Sequence, residues 1–176
     1  MMASPVNKFA GSDLALYGMF VSVMLVVGYI ESFIPMPFAI PGIKIGLSNI
    51  VIIWLIYSMN IKSAIIVDVV RVILSSFLFG NLYSLLFSFA GAALSLVVML
   101  LLKKIGRFSI TGVSIAGGVS HNIGQIAVAM LVLENAMLVS YLPFLIISGV
   151  VFGIVVGIVA GILHKKIKIL QTNVHL

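Results

Sequence analysis

The stretch Leu142–Leu163, LPFLIISGVVFGIVVGIVAGIL, decides the fold class. It carries no charged side chain, and its length falls in the range of roughly 17–25 apolar residues that cross a bilayer as a helix. Gly149, Gly153, Gly157 and Gly161 recur at every fourth position. This small-xxx-small pattern lets membrane helices pack closely. The stretch therefore predicts a membrane-spanning helix with a closely packed glycine face.

The composition of the whole chain supports a membrane protein. Of 176 residues, 62% are hydrophobic and 8% are charged, which is too little charge to cover a water-soluble domain of this size. The chain has no cysteine, so disulfides and thiolate metal sites are excluded. We expect one integral membrane domain over residues 1–176, without a cofactor. The net charge of +6 is attributed to cytoplasmic loops and not to a nucleic-acid partner.

Five further apolar segments bring the number of predicted spans to six. These runs are continuously apolar and do not alternate, which disfavours a β-barrel. The predicted fold is all-α: a polytopic bundle of six transmembrane helices in the lipid bilayer, the second of them short. The predicted spans cover residues 13–30, 46–59, 62–79, 82–102, 110–133 and 142–163.

The distribution of basic residues predicts the orientation, because lysine and arginine concentrate in cytoplasmic loops. Lys44, Glu31 and Glu134 fall on the opposite side from most of the basic residues. We therefore predict a multi-pass protein of the cell membrane with both termini in the cytoplasm. The proline-containing loop Glu31–Ile45 then faces outside, either as a lid or as a passive connector. The residues predicted to be cytoplasmic are Lys8, Lys62, Lys103, Lys104, Arg107, Lys165, Lys166 and Lys168.

The third segment contains two ionisable residues, Asp68 and Arg71, in VDVVRV. Ionisable groups within a membrane are costly and usually face the interior of the bundle. The i, i+3 spacing puts both on one helix face, where they can pair. The sequence leaves two roles for these residues, a structural ion pair and a contact with a ligand. The five donors of Arg71 exceed what one aspartate can satisfy, which leaves donors for a ligand.

The fifth segment contains GGVSHNIGQ, Gly117–Gln125, with His121, Asn122 and Gln125 inside a span. Lipid offers no hydrogen-bond partners to such side chains. They serve either as polar contacts between helices or as a ligand site, and the sequence favours the ligand site. One intramembrane histidine is too few for a metal site, so none is predicted.

Several enzyme chemistries lack their residues. There is no G-x-x-x-x-G-K-[ST] loop for ATP. The chain has two aspartates, Asp13 and Asp68, so it offers no Asp-rich motifs for magnesium and a diphosphate. We therefore assign no catalytic residue, and an enzyme is not the favoured prediction.

Three motifs together resemble one family. PGIKIGLSNI (Pro41–Ile50), R-x-x-L-x-x-x-x-F-G-N (Arg71–Asn81) and GGVSHNIGQ resemble the Gx transporter family, also known as heptaprenyl diphosphate synthase component I. The resemblance covers about Ala15–Leu163. The six-helix pattern is also similar to the substrate-binding S components of energy-coupling factor transporters. This similarity to S components implies partner subunits, namely an ATPase pair and a membrane coupling subunit.

The favoured prediction is a transporter subunit that captures a small polar or anionic solute from the outer face. An auxiliary component of heptaprenyl diphosphate or quinone biosynthesis is the alternative, and a structural membrane scaffold is the third. Lys44, Arg71 and His121 as potential cations favour an anionic or strongly polar small-molecule substrate. The predicted substrate-binding residues are Lys44, Asn49, Asp68, Arg71, Asn81, His121, Asn122 and Gln125.

Overall fold

The structure, a computed structural model, describes residues 8–33 and 46–174. These residues form an all-α bundle of six helices, which confirms the predicted fold class and helix number. A short 3-10 helix, Ala136–Tyr141, precedes the last α-helix. The α-helices are α1 (Lys8–Ser32), α2 (Asn49–Ser58), α3 (Ile61–Phe79), α4 (Leu82–Ile105), α5 (Ile110–Val132) and α6 (Leu142–Val174).

Local sequence signals set several helix ends. Asn60 and Asn81 begin α3 and α4, and their side-chain oxygens accept hydrogen bonds from the backbone N–H of Ser63 and Ser84, at 2.8 and 2.9 Å. These bonds satisfy N–H groups that have no partner within the helix. Gly106 ends α4 with φ +74°, the left-handed conformation that glycine adopts without strain.

Within the described residues, four helical segments are long and apolar enough to cross a membrane, and they lie in α1, α4, α5 and the 3-10–α6 unit. The chain is therefore a multi-pass membrane protein. Helix α3 is not among these four segments, because its 19 residues include the charged residues Lys62, Asp68 and Arg71. Helix α2 has ten residues, shorter than the span predicted over 46–59. At 1.5 Å per residue it is about 15 Å long, half the thickness of the hydrocarbon core.

Helix α5 lies between α4 and α6, and its contact with α6 is built on glycine. A Cβ on Gly149, Gly153 or Gly157 would lie 2.9, 2.6 or 2.6 Å from a backbone Cα atom of α5. Real Cβ atoms do not approach so closely, so these three glycines are required for the observed packing. This confirms the predicted packing role for three of the four glycines, because a Cβ on Gly161 would meet nothing within 4 Å.

The other helices complete the bundle around α2. Apolar side chains of α1, α2 and α3, among them Met24, Ile52 and Val67, form a fully buried core. At one end, Lys103 Nζ of α4 donates to the carbonyl oxygen of Ile56 in α2, and Ser58 is hydrogen-bonded to His164 of α6 at 2.7 Å. The ends that carry the basic residues of α3, α4 and α6 therefore lie together, and we call this the lysine-rich end. The membrane side on which it lies stays a prediction.

Candidate functional site

The turn that precedes α2, Gly46–Ser48, is the centre of the candidate site. Gly46 has φ +90°, and its carbonyl oxygen accepts a hydrogen bond from Asn49 N at 3.0 Å. The buried carboxyl group of Glu31, at the end of α1, accepts hydrogen bonds from Gly46 N at 2.7 Å and from Leu47 N at 3.1 Å. One side chain thus ties the end of α1 to the start of α2.

Glu31 was not among the predicted site residues. The sequence placed it at the start of an outer loop, where a carboxylate is expected to face water. The structure shows it 5% exposed and bonded to the backbone of the turn. In the sequence, Glu31 follows directly after a long apolar run, and this was the one available signal of burial. The same position suits an exposed loop residue equally well, so the sequence did not distinguish the two.

Arg71 contacts the same turn from α3. One terminal guanidinium nitrogen donates to Ser48 Oγ at 3.2 Å, and the other pairs with Asp68. The side chains of Arg71 and Asp68 are 4% and 6% exposed. Arg71 Nε has no hydrogen-bond partner. The predicted i, i+3 contact is therefore present, and it leaves one buried donor of the guanidinium group unused.

His121 and Asn49 approach the turn at Gly46. A Cβ on Gly46 would lie 3.2 Å from Asn49 Nδ2 and 3.7 Å from His121 Cδ2. A Cβ would therefore crowd the Asn49 amide, whereas its distance to His121 is that of an ordinary van der Waals contact. Asn49 and His121 are 7% and 2% exposed. Arg71 and His121, on different helices, thus adjoin a turn of three residues.

Gln125 lies one helical turn beyond His121 and faces α4. A Cβ on Gly91 of α4 would lie 2.7 Å from Gln125 Cγ and 3.1 Å from His121 Cε1. Gln125 is fully buried, yet neither its amide nitrogen nor its amide oxygen has a hydrogen-bond partner. A buried polar group without a partner costs about 1–3 kcal/mol, so this side chain destabilises the structure as it stands.

We call Glu31, Ser48, Asn49, Asp68, Arg71, His121 and Gln125 the central polar cluster. Helix α4 carries three further buried serines, Ser84, Ser88 and Ser95, and the hydroxyl group of each lacks a partner. A small cavity bordered by Gly46 and Asn49 has a volume of about 10 Å³. That is close to the least volume that holds one water molecule. Among the described residues, this cavity therefore has room for about one water molecule.

Two predicted site residues, Asn122 and Asn81, have other contacts, and a third, Lys44, is not described. Asn122 donates to the carbonyl oxygen of Leu145 at 2.7 Å and to Ser148 Oγ at 3.3 Å, so it joins α5 to α6. The Asn81 side chain caps α4. Lys44, together with the prolines of the predicted lid, lies outside the described residues. The structure thus brings together Asn49, Asp68, Arg71, His121 and Gln125 of the predicted set.

Comparison with known proteins identifies a family. The family model described as heptaprenyl diphosphate synthase component I matches residues 20–163, a range that contains the whole central polar cluster. No curated protein matches the chain. No solved structure matches it either, so the likeness to S components stays a prediction.

Proposed function

We propose that the central polar cluster of this chain, which belongs to the heptaprenyl diphosphate synthase component I family, binds a small polar or anionic molecule within the membrane. The chain would act as the binding subunit of a transporter, working with partner subunits. The observation that carries this proposal is Gln125, fully buried with both amide atoms unbonded in a cluster that also holds an unused donor of Arg71.

The unused hydrogen-bonding groups support a ligand over a purely structural role. Replacing buried polar groups by apolar groups of similar shape is often neutral or stabilising, so polar side chains without partners add nothing to folding. Arg71 Nε and Gln125 Nε2 are donors, and Gln125 Oε1 is an acceptor. A molecule that both accepts and donates hydrogen bonds would satisfy all three atoms.

The carboxyl groups of the cluster narrow the class of ligand. Glu31 and Asp68 lie beside the turn with Arg71, so the described carboxyl groups outnumber the guanidinium group. The expectation of an anionic ligand was based on Lys44, Arg71 and His121, and it did not include Glu31. A polar molecule with balanced donors and acceptors fits the described residues better than a multiply charged anion does.

Helix α1 supports the partner part of the proposal. The small residues Ala15, Gly18 and Ser22 lie on one stripe of α1 and are exposed, and a Cβ on Gly18 would meet nothing within 4 Å. Small residues let two membrane helices approach closely. The stripe faces away from the bundle, so it offers a smooth surface on which a membrane coupling subunit would dock. An ATPase pair would supply the energy.

The experiment is native mass spectrometry of the gently purified protein, followed by equilibrium binding of the small molecule that co-purifies. We expect Gln125→Leu to weaken binding about tenfold or more, since two hydrogen bonds to the ligand are lost. Asn122→Leu is the matched control on the same helix, because it removes a contact with α6 and no contact with the ligand. We expect its ligand affinity to stay within about twofold of wild type. Equal affinities of wild type and Gln125→Leu would exclude the proposed site.

The family name favours a second candidate, a membrane component of a prenyl diphosphate synthase. Among the described residues, no three histidine, cysteine, aspartate or glutamate side chains lie together as metal ligands. A catalytic partner would then supply the carboxylates that hold magnesium and the diphosphate. Membranes with and without this chain, assayed with the same prenyltransferase, separate the candidates: elongation that requires the chain favours the second, and unchanged elongation excludes it.

A further inference from the structure

A second cavity lies in the hairpin between α3 and α4, away from the central polar cluster. Its volume is about 190 Å³. Phe77 and Leu82 border it and are 78% and 69% exposed, so the cavity meets the apolar surface of the bundle. We call it the hairpin cavity. Its lining residues are Ser76, Phe77, Gly80, Asn81, Leu82 and Leu85.

Two buried serine hydroxyl groups at the hairpin cavity have no hydrogen-bond partner. Ser76 lines it, is 4% exposed, and has a hydroxyl group without a partner. Ser84 lies directly behind the lining residue Gly80 and does not itself line the cavity: its Oγ is 2.8 Å from the position that a Cβ on Gly80 would take. It is 2% exposed, and its hydroxyl group also lacks a partner. The side-chain oxygen of Asn81 is used to cap α4. A ligand atom that accepts hydrogen bonds would satisfy the two buried hydroxyl groups.

Charge and depth narrow the ligand further. None of the six described residues that line the cavity is charged, so these residues offer no counter-ion to a phosphate or a carboxylate. Three aromatic side chains lie together at this end of α1 and α3: the centroid of the Tyr29 ring is 4.9 Å from that of Phe33 and 5.2 Å from that of Phe79. Such aromatic residues concentrate at the membrane–water interface, where the ester carbonyl and hydroxyl groups of lipids lie.

We propose that the hairpin cavity binds the uncharged head of a membrane amphiphile, a head whose carbonyl or hydroxyl oxygens accept hydrogen bonds from Ser76 and Ser84. The hydrocarbon chain of this amphiphile leaves the cavity past Phe77 and Leu82 and continues along the apolar surface of the bundle. This lipid site is separate from the central polar cluster, and it stands whether or not that cluster binds a solute.

The test is photolabelling of the purified full-length protein in nanodiscs with a diacylglycerol that carries a diazirine in one acyl chain. We expect label in the peptide that contains Phe77–Leu85. Ser76→Ala and Ser84→Ala each reduce that label about three- to tenfold, the effect of one neutral hydrogen bond. Leu85→Phe narrows the cavity without removing a hydroxyl group, and we expect it to reduce the label as well.

Two controls distinguish the cavity from ordinary lipid contact. Ser22→Ala removes a hydroxyl group on the exposed face of α1 and leaves the label in the hairpin peptide unchanged. A phosphatidylglycerol with the same diazirine chain labels the hairpin peptide at the level of the other lipid-facing peptides. Equal labelling in wild type and both serine variants, or equal enrichment of the charged lipid, would overturn the proposal. Each variant is compared only after its thermal unfolding midpoint has been measured.

Discussion

The two faces of α5 differ in how completely their groups are used. Towards α6, Gly149, Gly153 and Gly157 bring two helix backbones together, and the Asn122 amide nitrogen bonds to a carbonyl oxygen of α6. Towards α4, Gln125 is buried without hydrogen bonds. Both faces are closely packed, and on the α6 face the Asn122 amide nitrogen is bonded while its amide oxygen has no partner. The α4 face keeps polar atoms that lower stability, and proteins retain such groups where a ligand uses them.

The largest expected effect comes from breaking the ion pair of the central polar cluster. Arg71→Gln leaves the Asp68 carboxyl group buried beside the turn without its partner. We expect the free energy of unfolding to fall by about 3–5 kcal/mol, measured by denaturant titration in mixed micelles. Asp68→Asn combined with Arg71→Gln should be more stable than the sum of the single effects predicts, by about 1–3 kcal/mol, because the two residues are coupled.

Arg107→Gln provides the control for this cycle. Arg107 is exposed between α4 and α5, so we expect a change within about 0.5 kcal/mol. Additive effects of Asp68→Asn and Arg71→Gln would show that the contact between the two side chains contributes no energy. The central polar cluster would then lack the energetic coupling between side chains that is expected of a buried ion pair.

The next effect tests the glycine contact between α5 and α6. Gly153→Ala places a Cβ 2.6 Å from Ile115 Cα, so the helices must separate, at a cost of about 1–3 kcal/mol. Gly161→Ala, two turns further along α6, meets no atom within 4 Å and gains up to about 1 kcal/mol from the helix propensity of alanine. The unfolding midpoints of the two variants should therefore move in opposite directions. A shift of the same sign in both would contradict the close contact.

The smallest expected effect is a gain. Gln125→Leu removes two unbonded polar atoms from a fully buried position and keeps a side chain of similar length. Without ligand, we expect the free energy of unfolding to rise by about 1 kcal/mol, since the cost of the unpaired amide disappears. Asn122→Leu is the matched comparison. It should destabilise because it removes the hydrogen bonds of the Asn122 amide nitrogen to Leu145 O and Ser148 Oγ, although Ser148 Oγ still donates to Leu145 O. A loss of stability in Gln125→Leu would show that the amide already has a structural partner.

The sequence predicted the elements whose causes are local. Continuous apolar runs predicted the helices, and the i, i+3 spacing predicted the contact between Asp68 and Arg71. The glycine repeat predicted a packed face on α6. Each of these follows from the geometry of one helix, and no knowledge of its neighbours is needed.

The rest depended on which neighbour each side chain meets. His121 and Asn122 are adjacent in sequence, but successive residues of a helix point about 100° apart, so one faces the turn before α2 and the other faces α6. Asn81 was assigned to the ligand and caps α4. Glu31 gained its role from two backbone N–H groups that lie 15 and 16 residues later in the chain. Such long-range pairs leave no local pattern in a sequence.

The glycine contact also limits how the gene can change. Any single-nucleotide change in a glycine codon that replaces the amino acid introduces a residue with at least a Cβ. At Gly149, Gly153 and Gly157, even the smallest such replacement collides with the backbone of α5. These codons therefore have no conservative missense neighbour, and drift along this face of α6 is restricted to silent changes. The codon for Gly161 is free of that restriction, so a mutational scan of α6 should find tolerance there first.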